Sequence, residues 1–548
     1  MTVECNNSYK EKWGFGSMVE DVIGNEGDRI LGRDAQRNNI LAARVVSETV
    51  KTTLGPMGMD KMLVDRVGNV VVTNDGVTIL DEMEIEHPAA KMVVEIAKTQ
   101  EKEVGDGTTT AVMLAGKFLE NAEKLLDSKI HPTVISKGYT IAAEKSKEFL
   151  NELSVDFDNR EDILKHVVMT AMTGKNVEWA KGKLSEIAVK AVLHVAENNK
   201  VDMDNIKIEK KEGGGSADTE LIDGVVLDKE RIHSDMPKRV ANAKIALLDT
   251  AIEVKNTEIE AKIQITDPNQ LQAFLDSEEK TLKAYVDAIS NAGASVVFCS
   301  KGIDDLAQHF LAQKGIYTVR RVTQSDIIKL SKATGSKIVS KINEIKPTDL
   351  GKSGLVEEKK LGDENMTYVT KCLNPKAVTA IIRGGTAHVV DEVERALKDA
   401  IGDLSAALSN GKCVAGGGAV EVELAKELRK YADSLSGREQ LAVQAFAEAL
   451  EMIPRTLAEN AGLDPIDMLT ALKAEHDSGK KWSGLNVFSG QAQDMWQAGV
   501  IEPLKIKTQA IQSATEAAIL ILRIDDIISS GKSNQQQMHP QGMPPGMM

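Results

Sequence analysis

A chain of 548 residues exceeds what one hydrophobic core usually serves and predicts two or three domains; 42% apolar but only 3% aromatic content predicts aliphatic cores of interleaved helices and short strands. A formal net charge of −15 argues against nucleic acid or an anionic membrane as partner. The four cysteines, Cys5, Cys299, Cys372 and Cys413, lack metal-ligand spacing, no apolar run approaches a membrane span, and MTVECNNSYKEKWGFGSM has no signal-type hydrophobic region, so a reduced, cytoplasmic protein is expected.

Residues 1–31 are polar and glycine-dotted, an extension expected to be poorly ordered. A helix should follow from GRDAQ, with Leu41 and Val45, then Val46, Val50 and Leu54, paired at i+4 and the run stopped by Gly55-Pro56. The β-branched run Val70 to Thr73 predicts a strand leading into a turn at Asn74-Asp75-Gly76. Helices are expected over AAKMVVEIAKTQ and from Ala111 to Leu126, separated by EVGDGTTT. Around Lys210 to Glu220 three glycines mark a hinge or hairpin, beyond which strands such as KIALLDTAI and SVVFC alternate with helices as a separate α/β unit. Within it Asp267 caps, Pro268 opens and Gly293 ends a long amphipathic helix with apolar Leu271, Phe274, Leu275, Leu282, Tyr285, Val286 and Ile289. The strand AVTAIIRGG then feeds a helix from about Thr386 to Leu408, glycines cluster at 416–418, and helices dominate to Ile528 before a disordered Gln/Gly/Met/Pro tail over 529–548.

Small and turn-forming residues recur at LGP (Leu54, Gly55, Pro56), TNDG, GDGTTT and GGG. Glycine lets backbone amides approach an anion, threonine adds hydroxyls, and a helix starting at the loop aims its positive end the same way, so phosphate is a natural guest. Asp106, between two glycines, is then placed to serve Mg²⁺ on a nucleotide. Taken singly each piece stays open: there is no GxxxxGK[ST] loop, Asp75-Gly76 also makes a good hairpin turn, and GGG is often only a close-packing device. Asp399 falls well away from the centre of the apolar stripe of its helix, where a solvated carboxylate is the ordinary reading, and Lys175 begins as a loop lysine.

Taken together, GRDAQ, TLGP with GMDKMLVD, VTNDG, HPAAKM, AKTQEKEVGDGTTTAV, ITDP, KGIDDLAQH, GREQLAVQAFAEALEMIPRTLAENAGLD and KTQAIQSATEA resemble the group II chaperonins, of the archaeal thermosome type, from about Gly32 to Ile528. The resemblance implies a multidomain α and α/β fold. Its parts would be a mostly helical equatorial ATPase domain (32–155 and 410–528), a small α/β intermediate hinge domain (156–224 and 377–409) and an inserted α/β apical domain (225–376). The apical domain would carry a helical protrusion at about 253–283 that serves as a built-in lid, with an amphipathic stripe free to pair with neighbours or clients. ATP and Mg²⁺ are the implied cofactors, with K⁺ a further candidate. Asp106 resembles the metal ligand; Gly107, Thr108, Thr109 and Thr110 would surround the phosphates beside Leu54, Gly55 and Pro56. Gly417, Asn486 and Glu502 would meet the nucleoside. Asp75 and Asp399 match the carboxylates near the γ-phosphate and its attacking water, and Lys175 the lysine that senses that phosphate. The partners implied are non-native protein clients and identical or closely related subunits in a double ring, eight per ring, with no separate co-chaperonin lid. Met57 departs from the pattern, standing where the family's loop commonly has lysine. Two other classes remain at this point: a small-molecule phosphotransferase, which would need a polar pocket in the middle domain, and a non-hydrolysing homologue, against which Asp75, Asp106 and Asp399 argue.

Overall fold

Small residues decide how the first helix packs. Arg33–Lys51 buries Ala35, Asn39, Ile40, Ala43, Val46, Ser47 and Val50. Ser47 comes so close to Gly116 of helix Thr108–Asp127 that a Cβ at Gly116 would lie 2.4 Å from the serine Cβ. The expected pairing of Leu41 with Val45 does not reach the core: both are about half exposed, at 49% and 56%, because the close helix contact is made by Ala43 and Ser47, two positions on. The computed structural model describes residues 29–157, 160–175, 177–254, 268–362, 364–373 and 376–528. The tail, the extension before Arg29, and the protrusion from 255 to 267, including the cap at Asp267, lie outside the described residues.

Three bodies are nested along the chain. The outer one is helical, and one aliphatic core joins residues from Ile40–Leu150 with others from Val414–Leu522. At its centre Phe118 and Phe446 stack with ring centroids 4.2 Å apart, and the Tyr139 hydroxyl donates to the Phe118 carbonyl at 2.7 Å. Arg29–Leu31, assigned from the sequence to the extension, pairs antiparallel with Asp526–Ile528, so the two ends of the body are stitched together. The strand Val70–Thr73 forms as expected, but its antiparallel partner Lys61–Val64 lies before it, and Asn74-Asp75-Gly76 is a strand-to-helix junction, not a hairpin turn.

The middle body packs helices Glu161–Met172, Lys181–Val195 and Ala387–Asn410 around a second core. Its small sheet places Val378–Gly384 between Ile206–Glu212, parallel, and Glu220–Ile222, antiparallel. The glycines at 213–215 therefore carry the chain past the end of the central strand to the other edge of the sheet; they do not close a hairpin between neighbours.

Inside this is a third body, a seven-stranded sheet covered on both faces. Successive residues of Arg239–Leu248 and Val296–Cys299 point alternately into two cores, one with Ile245, Leu247, Val296 and Phe298, the other with Ala246, Leu248, Val297 and Cys299. That two-sided burial is why these strands read as continuous apolar runs. Helix Pro268–Asn291 packs Leu282, Val286 and Ile289 into the second of these cores. The C-terminal half of its stripe is consequently internal packing, a correction to its expected availability as a docking surface. The side chains of Leu271, Phe274 and Leu275 lie outside the described residues.

The outer and middle bodies meet where Ala387–Asn410 crosses the end of Pro88–Val104. A Cβ on Gly105 would sit 3.0 Å from the Gly402 Cα, and one on Gly402 equally close to the Val104 carbonyl oxygen. Two glycines thus allow backbone-to-backbone contact at this crossing, which brings the acidic side of Ala387–Asn410 onto the GDGTTT loop.

Candidate functional site

A cavity of about 520 Å³ opens at this joint. Gly105 and Gly107 hold φ of 87° and 78°, and helix Thr108–Asp127 starts at Gly107 with no side chain capping it. The amides of its first turn are left for a guest, with the Thr108, Thr109 and Thr110 side chains beside them. The sequence expectation of a start at Ala111 was three residues late. Gly107 is also held sterically, since a Cβ would meet Ile506 Cγ2 at 2.7 Å. The Gln100 amide donates to the Asp106 carbonyl at 2.9 Å, and one Asp106 carboxylate oxygen accepts from the Gly107 amide at 2.7 Å, which leaves the other for a ligand.

Asp75 caps helix Gly76–Glu82, accepting from the Thr78 amide at 2.9 Å and the Thr78 hydroxyl at 2.7 Å through one oxygen. Gly76 lies so near Thr109 that a Cβ would fall 2.7 Å from its Oγ1, so the TNDG and GDGTTT loops abut. Asn74 donates to the Gly174 carbonyl at 3.0 Å, and Gly174 leans on Pro56, tying the Lys175 loop of the middle body to both outer loops. Leu54, Gly55 and Pro56 line the same cavity.

At the far end Gly417, with φ of 65°, accepts a hydrogen bond from the Leu485 amide at 2.8 Å, and Asn486 caps its own turn by accepting from the Phe488 amide at 3.0 Å. Glu502 shares Lys507 with Glu421, at 2.6 and 2.8 Å. Burial raises the Glu502 carboxyl, and Lys507 offsets part of that.

Asp399 is where sequence geometry misled. Instead of facing solvent it is half-buried, its Oδ2 2.5 Å from the Lys175 Nζ. Burial pushes the Asp399 carboxyl up to about 7, with Lys175 pulling it back and Asp106 and Asp75 adding to the rise. Burial disfavours the Lys175 ammonium, but Asp399 and Asp106 outweigh it and keep it charged. Asp399 is not itself on the cavity wall; Lys175 is, and stands between. Every other residue singled out from the sequence lines the cavity.

Sequence reasoning missed Asp403 and Lys507, both on the wall, and the middle-body side chains His166 and Thr170 that roof it. Thr170 accepts from the Ile501 amide at 3.1 Å, and His166 presses on Gly499. The only available signal for Asp403 was a carboxylate one helical turn from Asp399 inside the buried run AIGDLSAAL. The donor set toward the centre, carboxylates and threonine hydroxyls, consists of hard oxygen ligands and fits Mg²⁺ held jointly with phosphate oxygens.

Fold and site together define a multidomain α and α/β chain with an anion-cradling, carboxylate-rimmed pocket at the joint of two bodies. A model of the TCP-1/cpn60 chaperonin family matches residues 46–532. A thermosome subunit of Methanopyrus kandleri is 62% identical over 92% of this chain and 93% of its own, and a thermosome subunit beta of Archaeoglobus fulgidus is 60% identical over 92% and 93%. Among solved structures, the open-state monomer of a group II chaperonin from Methanococcoides burtonii is 48% identical with a TM-score of 0.59, covering 77% of this chain and 100% of that one. The chain belongs to the TCP-1/cpn60 chaperonin family, as an archaeal group II member.

Proposed function

We propose that the protein is an ATP-dependent chaperonin subunit of the cytoplasm. It assembles with identical or closely related subunits into a double ring, eight per ring, captures non-native proteins and encloses them on ATP hydrolysis. The helical body is the equatorial domain, the small α/β body the intermediate domain, and the innermost body the apical domain, whose protrusion at about 253–283 acts as lid without a separate co-chaperonin. The observation that carries the reading is the convergence of glycine-lined loops from the outer body with Lys175 and Asp399 of the middle body.

The first-turn amides and hydroxyls of Thr108–Thr110 hold the phosphates. Asp106, with Asp75, would hold Mg²⁺, which offsets phosphate charge when bound. Gly417, Asn486 and Glu502 take the nucleoside. Asp399 accepts a proton from the attacking water as its oxygen bonds to the γ-phosphorus and the bond to the ADP oxygen breaks. Before nucleotide enters, Lys175 neutralises Asp399; a γ-phosphate competes for the ammonium and frees the carboxylate to act as base. Because Lys175 and Asp399 both belong to the middle body, the step that readies the base also draws that body onto the outer one, coupling chemistry to closure.

The test is ATP turnover by the purified chain with Mg²⁺ and no acceptor, together with electron micrographs of the particle. Turnover by stacked rings is expected. A compact monomer defeats the chamber reading, and phosphate transfer that requires a small acceptor defeats the chaperonin reading.

A further inference from the structure

Asp403 has no role in the reading above, yet its position calls for one. It lies on Ala387–Asn410 one turn beyond Asp399, immediately after the Gly402 contact with Gly105, and lines the cavity at 3% exposure. Its Oδ1 is buried with no hydrogen-bond partner among the described residues. Neighbouring carboxylates are differently provided for: Asp399, behind the wall, has Lys175, while on the wall Glu502 has Lys507, Asp75 has Thr78 and Asp106 has the Gly107 amide. A buried carboxyl oxygen without a partner costs free energy that packing does not return.

The charged groups around it locate what it faces. Asp106, Lys175, Asp399 and Glu502 all act on Asp403. Asp403 lines the cavity together with Asp106, Lys175 and Glu502. Burial, then the charge of Asp106, hold its carboxyl well above the usual range, with Lys175 opposing and Asp399 adding to the rise. In its protonated form the carboxyl is a hydrogen-bond donor on the cavity wall.

We propose that Asp403 is a further nucleotide-binding residue, donating a hydrogen bond from its carboxyl group to an oxygen of the bound nucleotide. The proposal rests on the nucleotide reading of the pocket. A nucleotide oxygen supplies an acceptor for that carboxyl.

The test is calorimetric titration of ADP, with Mg²⁺, into the assembled wild type, Asp403→Asn and Asp403→Leu, with melting curves of each without nucleotide. Asparagine keeps a neutral donor of the same size and should bind within about threefold of wild type. Leucine removes the donor and should weaken binding by about tenfold or more, the usual scale for a hydrogen bond to a charged group. Relieved of its orphan carboxyl, the ligand-free leucine variant should melt no lower than wild type, which a merely structural role would not give. Should leucine prove unable to fold, Asp403→Ala takes its place in the same comparison. Leucine or alanine binding within threefold of wild type overturns the proposal, as does an asparagine variant as weak as leucine. Failure of the wild type to bind ADP would instead overturn the nucleotide reading itself.

Discussion

Replacing Lys175 with methionine removes the charge beside Asp399 while keeping the length of the side chain. In the ligand-free protein the Asp399 carboxyl is pushed up to about 7 by burial and by Asp106 and Asp75, and Lys175 opposes that rise from 2.5 Å. The profile of kcat/KM against pH reports groups of the free enzyme. As the proposed base Asp399 must be ionised, so wild-type kcat/KM should climb with pH through a limb centred near 7. An opposite charge at this range commonly moves a carboxyl by about one to three pH units, so without it the limb should move up by about one unit or more. At neutral pH the ionised fraction would then fall from about half to about a tenth, before any loss of phosphate contact is counted. The assay is steady-state ATP turnover from pH 5.5 to 9 for wild type and Lys175→Met, with Asp399→Ala as the control that should show no such limb. A limb that stays in place or moves down in Lys175→Met would refute the argument that this ion pair sets the base.

Asp399→Ala should leave nucleotide affinity within a few-fold while slowing hydrolysis by about 10²–10⁴-fold, read by calorimetry beside turnover. Gly107→Ala forces a left-handed backbone onto a residue with a side chain and drives its Cβ into Ile506; it should cost about 1–2 kcal/mol or more of stability and weaken ADP binding, measured by denaturant melts and calorimetry. His476 is fully buried, its Nδ1 2.5 Å from Glu423 and its Nε2 2.7 Å from the Ser483 carbonyl, and so ties strand Ser483–Asn486 to two helices. His476→Leu removes a partner from the Ser483 carbonyl and leaves Glu423 with Lys426, and should destabilise by about 1–3 kcal/mol in a thermal melt. Phe446→Ala, which empties one side of the stacked aromatic trio, should cost about 3–5 kcal/mol by the same measurement.

What the sequence made legible was local. Glycines at positive φ, β-branched strands and capped helix starts are properties of a few neighbouring residues, so Val70–Thr73 and the loops at Gly55, Gly107 and Gly417 could be picked out before any packing was known. Asp399 was legible only through family resemblance: its angle from the apolar stripe reports the core of its own body, whereas the side it occupies is covered by the Lys175 loop, more than two hundred residues away in sequence. Leu41 and Val45 misled for a related reason, since the closest approach to helix Thr108–Asp127 is made by Ser47 and the Ala43 backbone against Gly116, which carry little hydrophobic signal. Asp403 escaped because a single carboxylate among buried residues looks like an ordinary acidic position until its missing partner is seen. Strand Lys61–Val64 escaped because its exposed positions, Met62 and Val64, are themselves apolar, so KMLV shows no polar–apolar alternation although its burial alternates.

Calorimetric titration of ATP into the purified protein, with and without Mg²⁺, bears most directly on the central claim that the cavity at the joint of outer and middle bodies is an ATP site. The account predicts one nucleotide per chain, bound more tightly with Mg²⁺ and losing that dependence in Asp106→Ala. Absence of binding heat from well-folded wild type, or a Mg²⁺ dependence untouched in Asp106→Ala, would contradict it.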